Sequence, residues 1–285
     1  MVEIVETKAA LRARADEARA AGRRVGLVPT MGYLHEGHRS LMRAARRDCD
    51  VVIVTIFVNP MQFGPNEDLD RYPRDLDGDV AACRDEGVDL VFAPATREMY
   101  PRHSATTVVH VAELTDGLCG ASRPGHFDGV TTVVAKLVAV VGPCHAYFGW
   151  KDAQQLAVIT RMVDELDLPV TVVGCPLVRE RDGLALSSRN AYLSAEHRTI
   201  APQIYAGLRL AVDAVAAGET DPQRAIGLVR DHLSRWPDFA IDYLACVDSS
   251  TLQAVDRIDA NTLLAVAVRL GSTRLIDNVL LAASS

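Results

Sequence analysis

The chain is 285 residues long and near 31 kDa, with 49% hydrophobic and 24% charged residues, proportions that exclude a disordered tail, a collagen-like fibre and a disulfide-framework miniprotein. At this length about 75% of the unfolded surface can be buried, so the core needs no covalent staples, and one large domain or two smaller ones fit. Thirty Lys and Arg against 37 Asp and Glu leave a formal charge of −7. That balance argues against non-specific binding to nucleic acid or to an anionic membrane, yet leaves room for a local basic pocket.

Residues 7–21 have the pattern of an amphipathic helix ended by Gly22. VGLVP (25–29) is a short apolar strand, and 38–48 is helical. DVVIVTIFV (50–58) is a nearly continuous β-branched run, as in a strand covered on both faces. A helix over 75–86 and a strand over 88–94 follow, then a strand candidate at TTVVHV (106–111). GVTTVVAKLVAVVG (129–142) is long and ends in Gly-Pro, which favours a helix. A strand at 145–148, a helix at 152–166 and a strand at 170–174 complete an alternating run. Such alternation predicts a Rossmann-like parallel sheet with helices on both faces, whose ligands bind beyond the carboxyl ends of the strands.

After about residue 176 the texture changes. Helical stretches at 195–217 and 222–235 precede strands at 241–248, 263–270 and 273–281, so the expected division is a domain over 1–176 and a smaller α+β domain over 177–285. No run approaches 18 consecutive apolar residues, so no membrane span is expected. The six cysteines (49, 83, 119, 144, 175 and 246) include no CxxC pair, and the N-terminus is charged without an apolar stretch. Both features suit a reducing cytosol and give no zinc site.

The chemistry sits just after the strands. The first runs into PTMGYLHEGH (29–38), in which His35, Gly37 and His38 form H-x-G-H at a strand-to-helix junction. A helix N-terminus offers unpaired N–H groups and partial positive charge, Gly37 allows close approach, and the two imidazoles add donors, a set suited to phosphate. After the second strand, Asn59 and Gln62 are neutral amides beside Phe57, Met61 and Phe63, which suits an uncharged or hydroxylated ligand; alone, this is also an ordinary Asn-Pro turn. Arg123 and His126 could meet an anion, or could be a Gly-rich turn before a helix. Lys151 stands at a helix start, where a cation is unfavourable unless an anion is bound; Asp152 is an N-cap candidate, and Gln155 lies one turn on. Ser187, Ser188 and Arg189 suit a polyphosphate or form an exposed turn. Asp77 and Asp79 could assist a magnesium ion or be solvated helix residues.

Taken together, PTMGYLHEGH (29–38), FVNPMQFGPNEDLDRYPRD (57–75), RPGHFDGV (123–130), FGWKDAQQL (148–156) and VRERDGLALSSRN (178–190) closely resemble the pantothenate synthetase (pantoate–β-alanine ligase) family of the HxGH nucleotidyltransferase superfamily. TRLIDN (273–278) resembles that family's C-terminal strand. The resemblance implies that pantoate attacks the α-phosphorus of ATP, giving pantoyl adenylate and pyrophosphate, and that β-alanine then attacks the acyl carbon, giving pantothenate and AMP. It also implies magnesium with the ATP, a cytoplasmic homodimer and a small mobile C-terminal domain. By motif, it assigns ATP to Met31, Gly32, Tyr33, Leu34, His35, Glu36, Gly37 and His38, to Gly149, Trp150, Lys151 and Asp152, and to Val178, Leu186, Ser187, Ser188 and Arg189. His38 falls where the family has its proton donor. Gln62 matches an amide shared by pantoate and β-alanine, and Gln155 a second pantoate amide. The 186–189 loop resembles the KMSKS loop of class I aminoacyl-tRNA synthetases. Trp150 and Leu186 depart from the residues usual there. His35, His38, Lys151 and Arg189 are the groups placed to stabilise charge on the departing pyrophosphate. A nucleotidylyltransferase would share HxGH and the fold, but would be expected to offer Arg or Lys rather than amides at 57–63. A non-catalytic nucleotide-binding module has no need of those four residues together.

Overall fold

The computed structural model describes residues 2–65, 67–102 and 106–281, so position 66 of the 57–75 motif lies outside the described residues. In chain order the first part contains β1 (Glu3–Val5), α1 (Lys8–Ala20), β2 (Val25–Thr30), α2 (Glu36–Asp48), β3 (Val51–Ile56), α3 (Leu76–Asp85), β4 (Leu90–Phe92), the short α4 (Thr96–Met99) and α5 (Cys119–Ser122), α6 (His126–Val141), β5 (Cys144–Gly149), α7 (Ala153–Glu165) and β6 (Val170–Cys175). The six strands form one parallel sheet in the order β1-β4-β3-β2-β5-β6.

Alternation within strands sends side chains to two different cores. Val25, Leu27, Val51 and Ile53 join α1, α6 and α7 on one face, while Val28, Val52 and Val54 join α2 and α3 on the other. This is why the strands read as unbroken apolar runs. Beyond α8 (Ala195–Ile200), α9 (Gln203–Ala216) and α10 (Pro222–Leu233), strands β7 (Phe239–Asp248), β8 (Thr262–Leu270) and β9 (Thr273–Leu280) make a separate antiparallel sheet. One face of it packs on α9 and α10, and Val247, Leu263 and Ala265 from the other meet Ala153 and Trp150. The architecture is the expected α/β sheet plus a smaller α+β unit.

Three elements differ from expectation. Residues 106–111 form no strand, because β1 occupies the place beside β4; the Val109 N–H instead donates to the Thr132 hydroxyl on α6 at 2.9 Å. β1 itself is only three residues long, too short for a periodicity to register. The helix expected over 195–217 is two helices, because Pro202 lacks the N–H that would continue the ladder. Among the described residues, no helix is long and apolar enough to cross a membrane.

Candidate active site

The strand order reverses between β2 and β5. One chain direction runs outward from β2 through β3 to β4, the other from β5 to β6, so the loops after β2 and β5 diverge and leave a crevice between them. The loop after β2 carries the two histidines, and the loop after β5 carries Lys151.

His35 is the N-cap of α2. Its Nδ1 accepts the Gly37 N–H at 3.1 Å, while Nδ1 of His38 accepts the His35 N–H at 3.3 Å. The rings are 4.1 Å apart, centroid to centroid. This is a capping box built from imidazoles rather than Ser and Glu. With both Nδ1 atoms accepting, the remaining proton of each neutral ring sits on Nε2, so each ring keeps one N–H donor. Burial, with Lys151 nearby, lowers His35 to about 4; burial, His35 and Lys151 lower His38 to about 3. At neutral pH both are uncharged donors.

The segment leading into them is shaped from behind by Asp79. Its carboxylate, buried on α3, accepts the N–H groups of Tyr33 at 2.9 Å and Leu34 at 2.7 Å. Gly32 (φ 82°) and Tyr33 (φ 51°) are both left-handed, and a Cβ on Gly32 would stand 2.7 Å from an Asp79 oxygen. Asp79, read from sequence as a solvated residue or a magnesium helper, is therefore a buried bracket for the H-x-G-H loop. Burial pushes its carboxyl up, and the two N–H groups oppose that.

Gln62 lies in a 3₁₀ turn, Pro60–Gln62, after β3. Its Oε1 accepts from Asn59 Nδ2 at 3.1 Å, and its Nε2 is 3.2 Å from the Met31 sulfur. Asn59 also donates to the Gly129 carbonyl at 3.0 Å and accepts from the Tyr100 hydroxyl at 2.8 Å. The turn presses on α6 so closely that a Cβ at Gly129 would be 2.4 Å from the Met61 carbonyl oxygen. Arg123 and His126 belong to the same scaffold. Arg123 binds Glu67 through two nitrogens (2.7 and 2.6 Å), and His126 Nδ1 donates to the Gln62 carbonyl at 2.8 Å. Their polar atoms are engaged with the 62–67 segment, so the open choice between anion ligand and turn falls to a structural clamp.

The Trp150–Asp152 turn that follows β5 brings Lys151 to a cleft of about 390 Å³, whose other cations are Arg71, Arg123, Arg189, Arg269 and Arg274. Burial and the Arg189 charge lower Lys151, and it makes no ion pair among the described residues. Asp152 is the N-cap of α7, accepting the Gln155 N–H at 3.3 Å. The Trp150 indole points elsewhere, into a groove beside Gly174 and Ala153. After β6, Val178–Leu186 forms a tight hairpin that spacing alone did not reveal, closed by Leu186 N–H to Val178 O at 3.0 Å. It delivers Ser187, whose hydroxyl caps the turn Ser188–Tyr192. Arg189 binds both oxygens of Asp68 at 3.0 Å; burial disfavours its charge, but Asp68 more than offsets that.

Ser187 stands between two cavities. Tyr33, Leu34, His35 and Ser188 line one, and Lys151, Asp152 and Arg189 line the other. Met31 and Gly32 line a third beside Ala93–Thr96. Glu36 is exposed and pairs with Arg43. The structure thus draws the H-x-G-H, Lys151 and Ser187–Arg189 loops to one end of the sheet. Gly37, His38, Gln62, Gly149, Gln155, Val178 and Leu186 do not line these three cavities. Among the described residues, no three His, Cys, Asp or Glu side chains form a ready-made metal cage.

A family profile described as "Pantoate-beta-alanine ligase" matches residues 3–280. The chain is 55% identical over 277 residues to a pantothenate synthetase of Syntrophotalea carbinolica, covering 97% of this chain and 98% of that one. It is 54% identical over 280 residues to one from Moorella thermoacetica, covering 98% and 99%. A crystal structure of pantothenate synthetase from Thermus thermophilus superposes with a TM-score of 0.94 at 48% identity, over 99% of this chain and 100% of that one. Another, pantoate-beta-alanine ligase from Francisella tularensis complexed with beta-gamma ATP and beta-alanine, superposes at 0.81 with 32% identity, over 98% of each chain.

Proposed function

The chain belongs to the pantoate–β-alanine ligase family, and from that premise we propose that it joins pantoate to β-alanine at the expense of ATP, through a pantoyl adenylate. A pantoate carboxylate oxygen attacks the α-phosphorus of ATP, and pyrophosphate leaves. The β-alanine amine then attacks the acyl carbon, and AMP leaves as the amide forms. The observation that carries this reading is the crevice at the strand-order reversal. There the two neutral imidazoles of His35 and His38 lie close enough to Lys151 for its charge to help lower both, and Lys151 makes no ion pair among the described residues.

Phosphate charge grows on the leaving pyrophosphate, and preorganised donors and cations in a partly dry site act most strongly where charge develops. His35 and His38 donate from Nε2, and Lys151 supplies a full charge. Arg189 joins them by exchanging Asp68 for phosphate oxygens. The segments Met31–His38, Gly149–Asp152, Val178 and Leu186–Arg189 hold the nucleotide. Gln62, fixed by Asn59, and Gln155 take the pantoate, with Gln62 also serving β-alanine. Magnesium accompanies the ATP as part of that substrate. Residues 1–176 bind substrates and residues 177–285 act as the lid that shields the adenylate from water. The working form is a cytoplasmic homodimer.

The test is rapid mixing with ATP and pantoate but no amine, followed by hydroxylamine. A stoichiometric burst of pyrophosphate and a pantoyl hydroxamate are expected. ADP and phosphate as products would instead reveal an acyl-phosphate ligase.

A further inference from the structure

The Lys151 turn is not held by its own sheet alone. Asn278, on β9 of the C-terminal sheet and 9% exposed, donates from Nδ2 to the Trp150 carbonyl at 2.9 Å and to the Lys151 carbonyl at 3.1 Å. Two carbonyls can only accept, so this position needs a group with two hydrogens on one atom. Asn278 is itself fixed along its backbone. Its N–H donates to Asp277 Oδ1 at 2.7 Å, and its carbonyl accepts from Arg179 Nη2 at 3.3 Å. Arg179 grips both Asp277 oxygens (2.6 and 2.9 Å) and stacks 3.6 Å above the Tyr205 ring. Arg179 also opens the hairpin that ends at Ser187. One short stretch of β9 is therefore bonded to the turn of Lys151 and to the hairpin leading to Arg189.

We propose that Asn278 is a positioning residue for the ligase reaction: its amide fixes the backbone of the Trp150–Asp152 turn, and so aims Lys151 only when the C-terminal sheet is docked. The inference rests on the role given to Lys151 above. It makes the site dependent on a residue far along the chain that touches no substrate. An undocked sheet releases both carbonyls, and Lys151 loses its direction before any cation is removed.

The experiment is a double-mutant cycle on pyrophosphate release with ATP and pantoate. Asn278→Ala should slow that step about ten- to a hundredfold, from two hydrogen bonds of ordinary net strength. In a Lys151→Ala background the same change should cost less than about twofold, because there is no ammonium left to aim. Where the Lys151→Ala rate is too slow to measure, the cycle is run on ATP affinity by calorimetric titration. Asn278→Asp keeps the size but sets a carboxylate against two carbonyl oxygens, so it should be at least as slow as Asn278→Ala. Asn278→Ser, with one donor, carries the test where the alanine variant does not fold. Equal losses in both backgrounds, or an Asn278→Asp enzyme at the wild-type rate, would overturn the inference. A Lys151→Ala enzyme at the wild-type rate would instead sink the role of Lys151 itself.

Discussion

Replacing Asp79 by Asn removes one oxygen and a charge from behind the H-x-G-H loop while leaving its shape. The carboxylate now takes two N–H groups, from Tyr33 and Leu34, at 2.9 and 2.7 Å. An amide accepts with one oxygen and points an NH₂ at the other donor, so one buried N–H is left facing a donor. A hydrogen bond to a charged group is worth about 1.5–3 kcal/mol, and about 1.4 kcal/mol is a factor of ten. Release of the left-handed pair Gly32–Tyr33 works in the same direction, because Tyr33 gains by relaxing to a commoner conformation. The expected result is a fall of about 10–100-fold in kcat/KM for ATP. It should be measured as pantoate-dependent exchange of labelled pyrophosphate into ATP. The second half-reaction, started from preformed adenylate and β-alanine, should change by less than about twofold, since the loop acts on the phosphates that have already left. An Asp79→Asn enzyme whose exchange rate stays within about threefold of wild type would refute the bracket.

Gln62→Ala should weaken the use of pantoate and β-alanine by about 1–3 kcal/mol, the cost of an unreplaced buried partner, and leave ATP affinity intact; equal losses in both affinities, by titration, would place Gln62 in the wrong subsite. The histidines predict a pH response. His35 and His126 are lowered to about 4 and His38 to about 3, chiefly by burial, against an ordinary 6.5. The unfolded chain therefore binds these protons first, so stability is intact above 6.5 and declines as pH falls from there through about 4 to about 3. For the free enzyme, kcat/KM for ATP should show no histidine ionisation from about pH 8 down to about pH 5. An inflection near 6.5 that disappears in His38→Ala would contradict the neutral-donor assignment.

The parallel sheet was legible because its strands are apolar on both faces, and the loops were legible because each carries polar groups just where a strand stops. What spacing could not reveal was which charges are already satisfied. Arg123, Arg189 and Asp79 each read as available from sequence, yet each is bonded to a group 45 to 121 residues away in the chain. The acidic run containing Glu67 and Asp68 was the available signal, since two carboxylates beside a cationic site tend to find its guanidinium groups. Asn278 closes the TRLIDN stretch, yet its partners left no trace, because they are two backbone carbonyls, which every residue has. The failed strand at 106–111 has a similar origin. Its composition suits a sheet, but the place beside β4 is taken by β1.

The reversal of strand order also fixes when the site can come into being. β2 finds β3 after one helical crossover, but its other neighbour, β5, pairs Gly26 with His145 across most of the first sheet's sequence. Closing so long a loop is entropically costly, and contacts of this separation govern how slowly a chain reaches its native state. A partly folded form lacking that pairing holds at most one side of the crevice, because the histidines follow β2 and Lys151 follows β5. Recovery of pyrophosphate release during refolding is thus tied to the β2–β5 junction, however early the hairpins of the C-terminal sheet take shape.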